Sequence, residues 1–309
     1  MRASLGFVAV AAVVATPAAA EDMDLAPVRY SPTSEWRLNS GGNGCTVIRD
    51  FTAGGQQLKF TMQQVHPGAV MQFGVFGEAI ERPVKAFSAG FQPADEVGQF
   101  DVWADASVGD LDGFVFTGLP FPTLNVKASD EDERNAARAQ FLDRVTNSET
   151  FAIEEPSTAP LELETGSILE PMSALEECLE KKLADLGITQ ALIERTASAP
   201  KPRDIAKWAR ELQSGYPAQA LRSWFDGKVN VRLVVDEKGR VEHCDVITQM
   251  TAKILREAAC EGYTEHGRYT PAQDVEGNAV KGVVLTAIHY VLSRGPGFAT
   301  DAHGFKIKD

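Results

Sequence analysis

The sequence is sparing with the residues that usually carry chemistry. It holds five histidines and four cysteines in 309 residues, and no CxxC. Without that pair, thioredoxin-like redox chemistry has no nucleophile. There is no GxSxG, no HExxH, no Asp-Thr/Ser-Gly and no phosphate-cradling glycine loop. The nearest glycine cluster, Ser40-Gly41-Gly42-Asn43-Gly44, lacks a following Lys-Ser/Thr and reads as a turn. The histidines are scattered: His66 before Pro67, His243 in a strand, His266 after a helix, His289 in the last strand and His303 in the tail. A metal site built from His243, Cys244, Cys260 and His266 follows no zinc-ligand spacing. No catalytic residue, metal or cofactor is therefore expected, and the chain reads as a non-enzyme. Positive charge is also short, with 30 Lys+Arg against 43 Asp+Glu and a net charge of −13. That excludes a nucleic-acid binder, whose phosphate contacts need a basic surface. Beyond residue 20 no apolar run is long enough to span a bilayer; the best, Val283–Leu292, is interrupted by Thr286 and His289.

What is present begins with an address. Arg2 precedes an apolar run from Leu5 to Val14, then Thr16, Pro17 and Ala18-Ala19-Ala20, followed by Glu21 and Asp22. This is the layout of a secretory signal, with cleavage expected after Ala20 and a periplasmic mature protein. Retention of the segment as an inner-membrane anchor is the alternative. Export places Cys45, Cys178, Cys244 and Cys260 in an oxidising compartment, so two disulfides are expected. Of the three pairings, Cys45–Cys178 with Cys244–Cys260 is favoured, because each pair then stays inside one domain.

Residues 21–196 read as an acidic, antiparallel β-rich domain, sandwich-like or barrel-like, with helices at its C-terminal end. Leu58, Phe60 and Met62 alternate with Lys59, Thr61 and Gln63, which is strand periodicity. Short apolar runs at 70–76, 84–91, 100–103 and 113–117 follow between turn clusters. Ser129 with Asp132 opens a helix carrying Phe141, Leu142 and Val145 inward. A second helix starts near Pro171, with Ser173 and Glu176 as a capping box and Gly187 as its stop. Leu175, Leu179, Leu183 and Leu186 form its apolar stripe. Residues 197–204 read as a linker, 205–294 as a smaller α+β domain and 295–309 as a tail. The acidity is uneven: residues 21–200 hold 13 cations against 29 acids, and residues 201–309 hold 16 against 14. An acidic first domain that binds a cation or cationic ligand is thus one functional reading. The densest acidic run, 149–180, reads more simply as a solvated face.

In the smaller domain Val229, Val231, Leu233 and Val235 alternate with Lys228, Asn230 and Arg232, and Asp236–Gly239 supplies a turn. A return strand over 240–247, a helix over 251–263 and a long last strand over 280–292 complete a sheet with one covering helix. The series Tyr216-Pro217, Gly227-Lys228-Val229, Val235-Asp236-Glu237-Lys238-Gly239-Arg240-Val241, Tyr269-Thr270-Pro271-Ala272 and Gly277-Asn278-Ala279-Val280 resembles the TonB C-terminal domain. The resemblance spans about 205–294 and implies a family motif at Tyr216, Pro217, Gly227, Gly239, Pro271 and Gly277. Cys244 and Cys260 resemble a cysteine-bearing subgroup of exported proteins, joining the second strand to the helix. The resemblance further implies binding of an extended peptide from an outer-membrane transporter or other envelope protein along a free sheet edge. The expected edge is the last strand, with Val283, Leu285, Ala287 and His289 as its partner-binding row, or a homodimer formed through the same strand. Gly215 stands where the family often has a Gln associated with peptide contact. An envelope adaptor is the reading favoured; a TonB-type energy transducer in transmembrane transport follows if the N-terminal segment is kept as an anchor.

Overall fold

The computed structural model describes residues 26–42, 44–66, 70–78, 80, 86–121, 131–154, 159–247 and 251–292. The expected signal segment 1–20 with its cleavage site, the cap at Ser129 and the tail 295–309 lie outside the described residues. The fold is α+β, as the patterning predicts. Its larger part is one curled sheet built from β1 (Val28–Pro32), β2 (Arg37–Asn39), β3 (Cys45–Ala53), β4 (Gln56–Gln64), β5 (Met71–Gly77), β6 (Phe87–Gln92), β7 (Gly98–Phe100), β8 (Val102–Val108), β9 (Leu111–Gly118), β10 (Thr150–Ile153) and β11 (Leu161–Leu163). The strands run in the order β7-β6-β10-β11-β1-β3-β4-β5-β9-β8, with β2 on β3. Pairing is antiparallel except between β1 and β11.

Alternation along these strands sends phenylalanine inward. Nine of them, including Phe60, Phe73, Phe91, Phe116 and Phe151, share one buried cluster with Phe121, which follows β9. Phe60 and Phe151 stack at 4.7 Å, and Phe91 meets Phe151 edge-on at 4.8 Å. Rings at such separations add about 0.5–1.5 kcal/mol per pair beyond their buried area.

Helix α1 (Glu131–Asn147) lies between β9 and β10, and helices α2 (Leu169–Ala184) and α3 (Gln190–Arg195) follow β11. Val145 is buried and Phe141 half-buried against the core, but Leu142, expected inward, is exposed. Helix α2 buries Leu175, Leu179 and Leu183 as its stripe predicts. It begins two residues earlier than expected, with Ile168 at its N-cap and no side-chain cap, so Ser173 and Glu176 form no capping box. Pro171 sits within the first turn, where no intrahelical N–H bond is lost. The Cys45–Cys178 disulfide ties this helix to β3.

The segment expected as a linker is strand-paired. Within it β12 (Thr196–Ser198) pairs with β17 (Ala272–Asp274), and β13 (Lys201–Pro202) pairs with β16 (Tyr269–Thr270). Its backbone groups find partners in the C-terminal part, which composition does not reveal. Beyond it come α4 (Ile205–Ser214), α5 (Ala218–Arg222), β14 (Gly227–Val235), β15 (Val241–Val246), α6 (Lys253–His266), β18 (Ala279–Val280) and β19 (Gly282–Tyr290). The small sheet has the order β15-β14-β19, wholly antiparallel. Val229, Val231, Leu233 and Val235 of β14 pack with Leu255, Ala259 and Tyr263 of α6.

Candidate functional site

The small sheet has two outer strands, and they are built differently. Strand β15 is six residues long, its ladder with β14 shifts register at Val234/Val235, and Glu242 and Asp245 give it charge. The Cys244–Cys260 disulfide fastens it to α6. Strand β19 is nine residues long, pairs with β14 from Gly227↔Tyr290 to Val235↔Gly282 without a shift, and carries no carboxylate or ammonium side chain. Charge, shortness and bulges are the devices that blunt a sheet edge against further pairing. Strand β15 has all three and β19 none.

The register fixes which way each β19 side chain faces. Val284, Thr286, Ile288 and Tyr290 lie opposite the α6-facing row of β14. Tyr263 of α6 donates its hydroxyl to the Ala287 carbonyl at 3.0 Å. Val283, Leu285, Ala287 and His289 form the opposite row, across from Val234, Arg232, Asn230 and Lys228. The structure thus brings the four expected partner-binding residues onto one face. Their surroundings differ along the strand. Val283 packs against the phenylalanine-rich core of the larger part, whereas Leu285 and His289 are exposed.

That second face is not the solvent face the alternation of β14 predicts. Arg232 is 2% exposed and Val234 1%. The Arg232 guanidinium donates through Nε and Nη2 to one Asp245 oxygen at 3.1 and 2.5 Å, and through Nη1 to the Val65 carbonyl beyond β4 at 2.8 Å. His243 Nε2 lies 2.9 Å from the other Asp245 oxygen. Arg232 therefore fastens the small sheet to the larger part from its central strand. A charge-bearing residue at an alternating polar position gives no hint of this, because only the tertiary contact buries it.

The family-motif positions sit at the joints of the small domain. Pro217 precedes α5 as its N-cap, with φ −63°. Gly227, at φ 140°, opens β14. Gly239 has φ 78°, and a Cβ there would come within 1.9 Å of the Tyr269 carbonyl. No side chain fits that approach, so the turn after β14 can close on Tyr269 only with glycine. Pro271 separates β16 from β17, and Gly277, at φ 83°, turns β17 into β18. At that last turn Asp274 accepts from the Asn278 and Glu276 backbone, the Asn278 side chain and Arg195 of α3. Burial pushes its carboxyl pKa up, but these bonds outweigh burial and hold it below the ordinary range. The stability they add is present above the unfolded carboxylate pKa and is lost as pH falls through the folded one.

Tyr216 donates to the Phe225 carbonyl at 2.5 Å and packs edge-on against Tyr290, the last residue of β19, at 5.1 Å. Burial, with the Tyr263 and Tyr216 phenols nearby, pushes Tyr290 up to about 12, so it remains a neutral packing group. The end of α5 and the turn held by Tyr216 expose Leu221, Trp224 and Phe225, and Trp224 is 64% exposed. Trp224 also has a positive φ of 55°. Neither Trp224 nor Arg232 was singled out by sequence pattern as a site residue. A Trp-Phe pair between polar residues just before a strand is the one signal that could have flagged the first. Among the described residues no cluster of three His, Cys, Asp or Glu could hold a metal, and no helix is long and apolar enough to cross a membrane.

Residues 213–292 match the family model described as Gram-negative bacterial TonB protein C-terminal. Among solved structures, the chain is similar to the NMR solution structure of the Helicobacter pylori TonB C-terminal domain, at 19% identity. That match covers 29% of this chain and 84% of the other, with a TM-score of 0.21. No curated protein matches the chain.

Proposed function

We infer from the TonB C-terminal match at residues 213–292 that this chain is an interaction protein of the bacterial envelope, non-enzymatic, whose small sheet accepts an extended segment of another envelope protein along β19. The observation that carries the reading is the regular, unshifted nine-residue β19 at the outside of the sheet. An incoming strand gains backbone hydrogen bonds along it, and Leu285 and His289 supply exposed side-chain contacts. Because the signal pattern ends at Ala20, the mature protein is a periplasmic adaptor rather than an anchored transducer. N-terminal sequencing of protein from the envelope fraction checks this point: a start at Glu21 is expected, and a start at Met1 or Arg2 would return the anchored reading.

The edge reading is tested with a synthetic nonapeptide of alternating Thr and Val and its twin N-methylated at every residue. The unmodified peptide is expected to bind the full chain and the N-methylated twin to lose binding, since it cannot complete a ladder. Equal binding of both would remove strand pairing as the mechanism. A Leu285→Pro variant, shown by its melting curve to be folded, is expected to bind the peptide at least tenfold more weakly.

A further inference from the structure

The end of α5 and the turn before β14 expose three large apolar side chains in five residues: Leu221 at 45%, Trp224 at 64% and Phe225 at 43%. Isolated exposed apolar residues are ordinary, but a contiguous group marks a contact surface. The backbone is bent to present this one. Trp224 sits at φ 55°, a left-handed conformation that is unfavourable for a side-chain-bearing residue and that glycine adopts freely. That conformation closes the end of α5, where the Trp224 and Phe225 amides donate to the Leu221 and Ala220 carbonyls, and it leaves a tryptophan exposed at a position that glycine usually fills.

The group also has a fixed place. Tyr216 holds the Phe225 carbonyl and packs on Tyr290, so the turn is fastened to the final residue of β19. The Gly227↔Tyr290 pair sets the start of β14 beside that same end, and Val291, just beyond, is 58% exposed. Two exposed cations, Arg222 and Lys228, flank the aromatic pair, neither with an ion-pair partner among the described residues; with the exposed Asp226 between them in sequence, the turn holds two cations against one acid. Lys228 lies across the ladder from the exposed His289.

We propose that Leu221, Trp224 and Phe225 form an end-stop for the segment that pairs with β19, taking a large apolar side chain with a neighbouring carboxylate placed between Arg222 and Lys228. The proposal rests on the edge reading above and adds the chemistry of the partner. A segment running along β19 leaves the edge at Tyr290, where the apolar group begins. Its terminal apolar residue is buried on Trp224 and Phe225, and the cations favour an acid beside it. The ladder itself reads no sequence, so selectivity rests on side chains, and this end supplies the largest apolar contact among them.

The test uses the full chain and three synthetic nonapeptides, each symmetric so that either strand direction presents the same end: Glu-Phe-Thr-Val-Thr-Val-Thr-Phe-Glu, the same with both Phe replaced by Ala, and the same with both Glu replaced by Lys. The first is expected to bind at least tenfold more tightly than either of the others. Trp224→Gly, which keeps the left-handed turn without strain, is expected to remove that preference while leaving the Ala-ended peptide's affinity unchanged. Equal binding of all three peptides, unaltered by Trp224→Gly, would overturn the end-stop and leave the edge reading standing. Binding of none would remove both. Anionic phosphatidylglycerol vesicles serve as a fourth probe: vesicle binding lost in Trp224→Gly, with peptide selectivity unchanged, would make the group a membrane contact and overturn the proposal.

Discussion

The two outer strands of the small sheet flank the same central strand, yet one is closed and the other open. Strand β15 is short, shifted in register, charged and tied through Cys244–Cys260 to α6. Strand β19 is longer, regular and free of such devices, with its C-terminal end beside an exposed aromatic turn. The difference teaches that the sheet is asymmetric by construction: stability devices gather on one side, and the other is left able to pair. The central strand serves both, because Arg232 anchors it against the larger part.

The comparison can be broken at its shared root first. Arg232→Ala leaves Asp245 buried without its guanidinium, which should cost about 3–5 kcal/mol and is read as a lower denaturant midpoint. The double change Arg232→Met with Asp245→Leu should recover most of that loss. Next comes the closed side. Replacing Cys244 and Cys260 by Ser opens a loop of 16 residues, expected to cost about 3 kcal/mol in the chain-entropy account. Peptide binding at the folded protein should persist, because β19 does not depend on the staple. If binding vanished with the disulfide while the fold held, β15 rather than β19 would be the docking side.

The fold was legible where sequence pattern and local chemistry coincide. Leu58, Phe60 and Met62 read as one buried row and are one; Gly239 reads as a turn glycine and has the positive φ that reading needs. Leu175, Leu179 and Leu183 likewise face the core. The rest was set by contacts between distant segments. Short strands such as β10 and β11 carry too few residues for a period to emerge, and the parallel pairing of β1 with β11 joins residues far apart in the chain. Lys201 and Pro202 read as linker because their strand partners, Tyr269 and Thr270, cannot be seen from composition. At the candidate site, the Val283–His289 row was legible as one face of a strand. Which face it was, and that Val283 is covered while Leu285 is open, depends on the larger part lying against it.

On the open side the effects on stability are smaller. Leu285→Lys places a charge on the exposed edge and should change stability by no more than about 0.5 kcal/mol. It should weaken the Thr/Val nonapeptide about tenfold, which corresponds to about 1.4 kcal/mol; calorimetric titration reads the second effect and thermal melting the first. The last change has the opposite sign. Trp224→Gly relieves the left-handed strain and should stabilise the chain by about 1 kcal/mol while lowering affinity for the Phe-ended peptide. Gain of stability with loss of binding in one substitution separates an aimed side chain from a packing one.

Amide hydrogen exchange on the full chain, with and without the Phe-ended nonapeptide, bears most directly on the asymmetry of the sheet. Alternate amides between Gly282 and Tyr290, those turned away from β14, should slow when the peptide binds, while amides of Val241–Val246 remain unchanged. Slowing confined to β15, or peptide binding with no change along β19, would contradict the account.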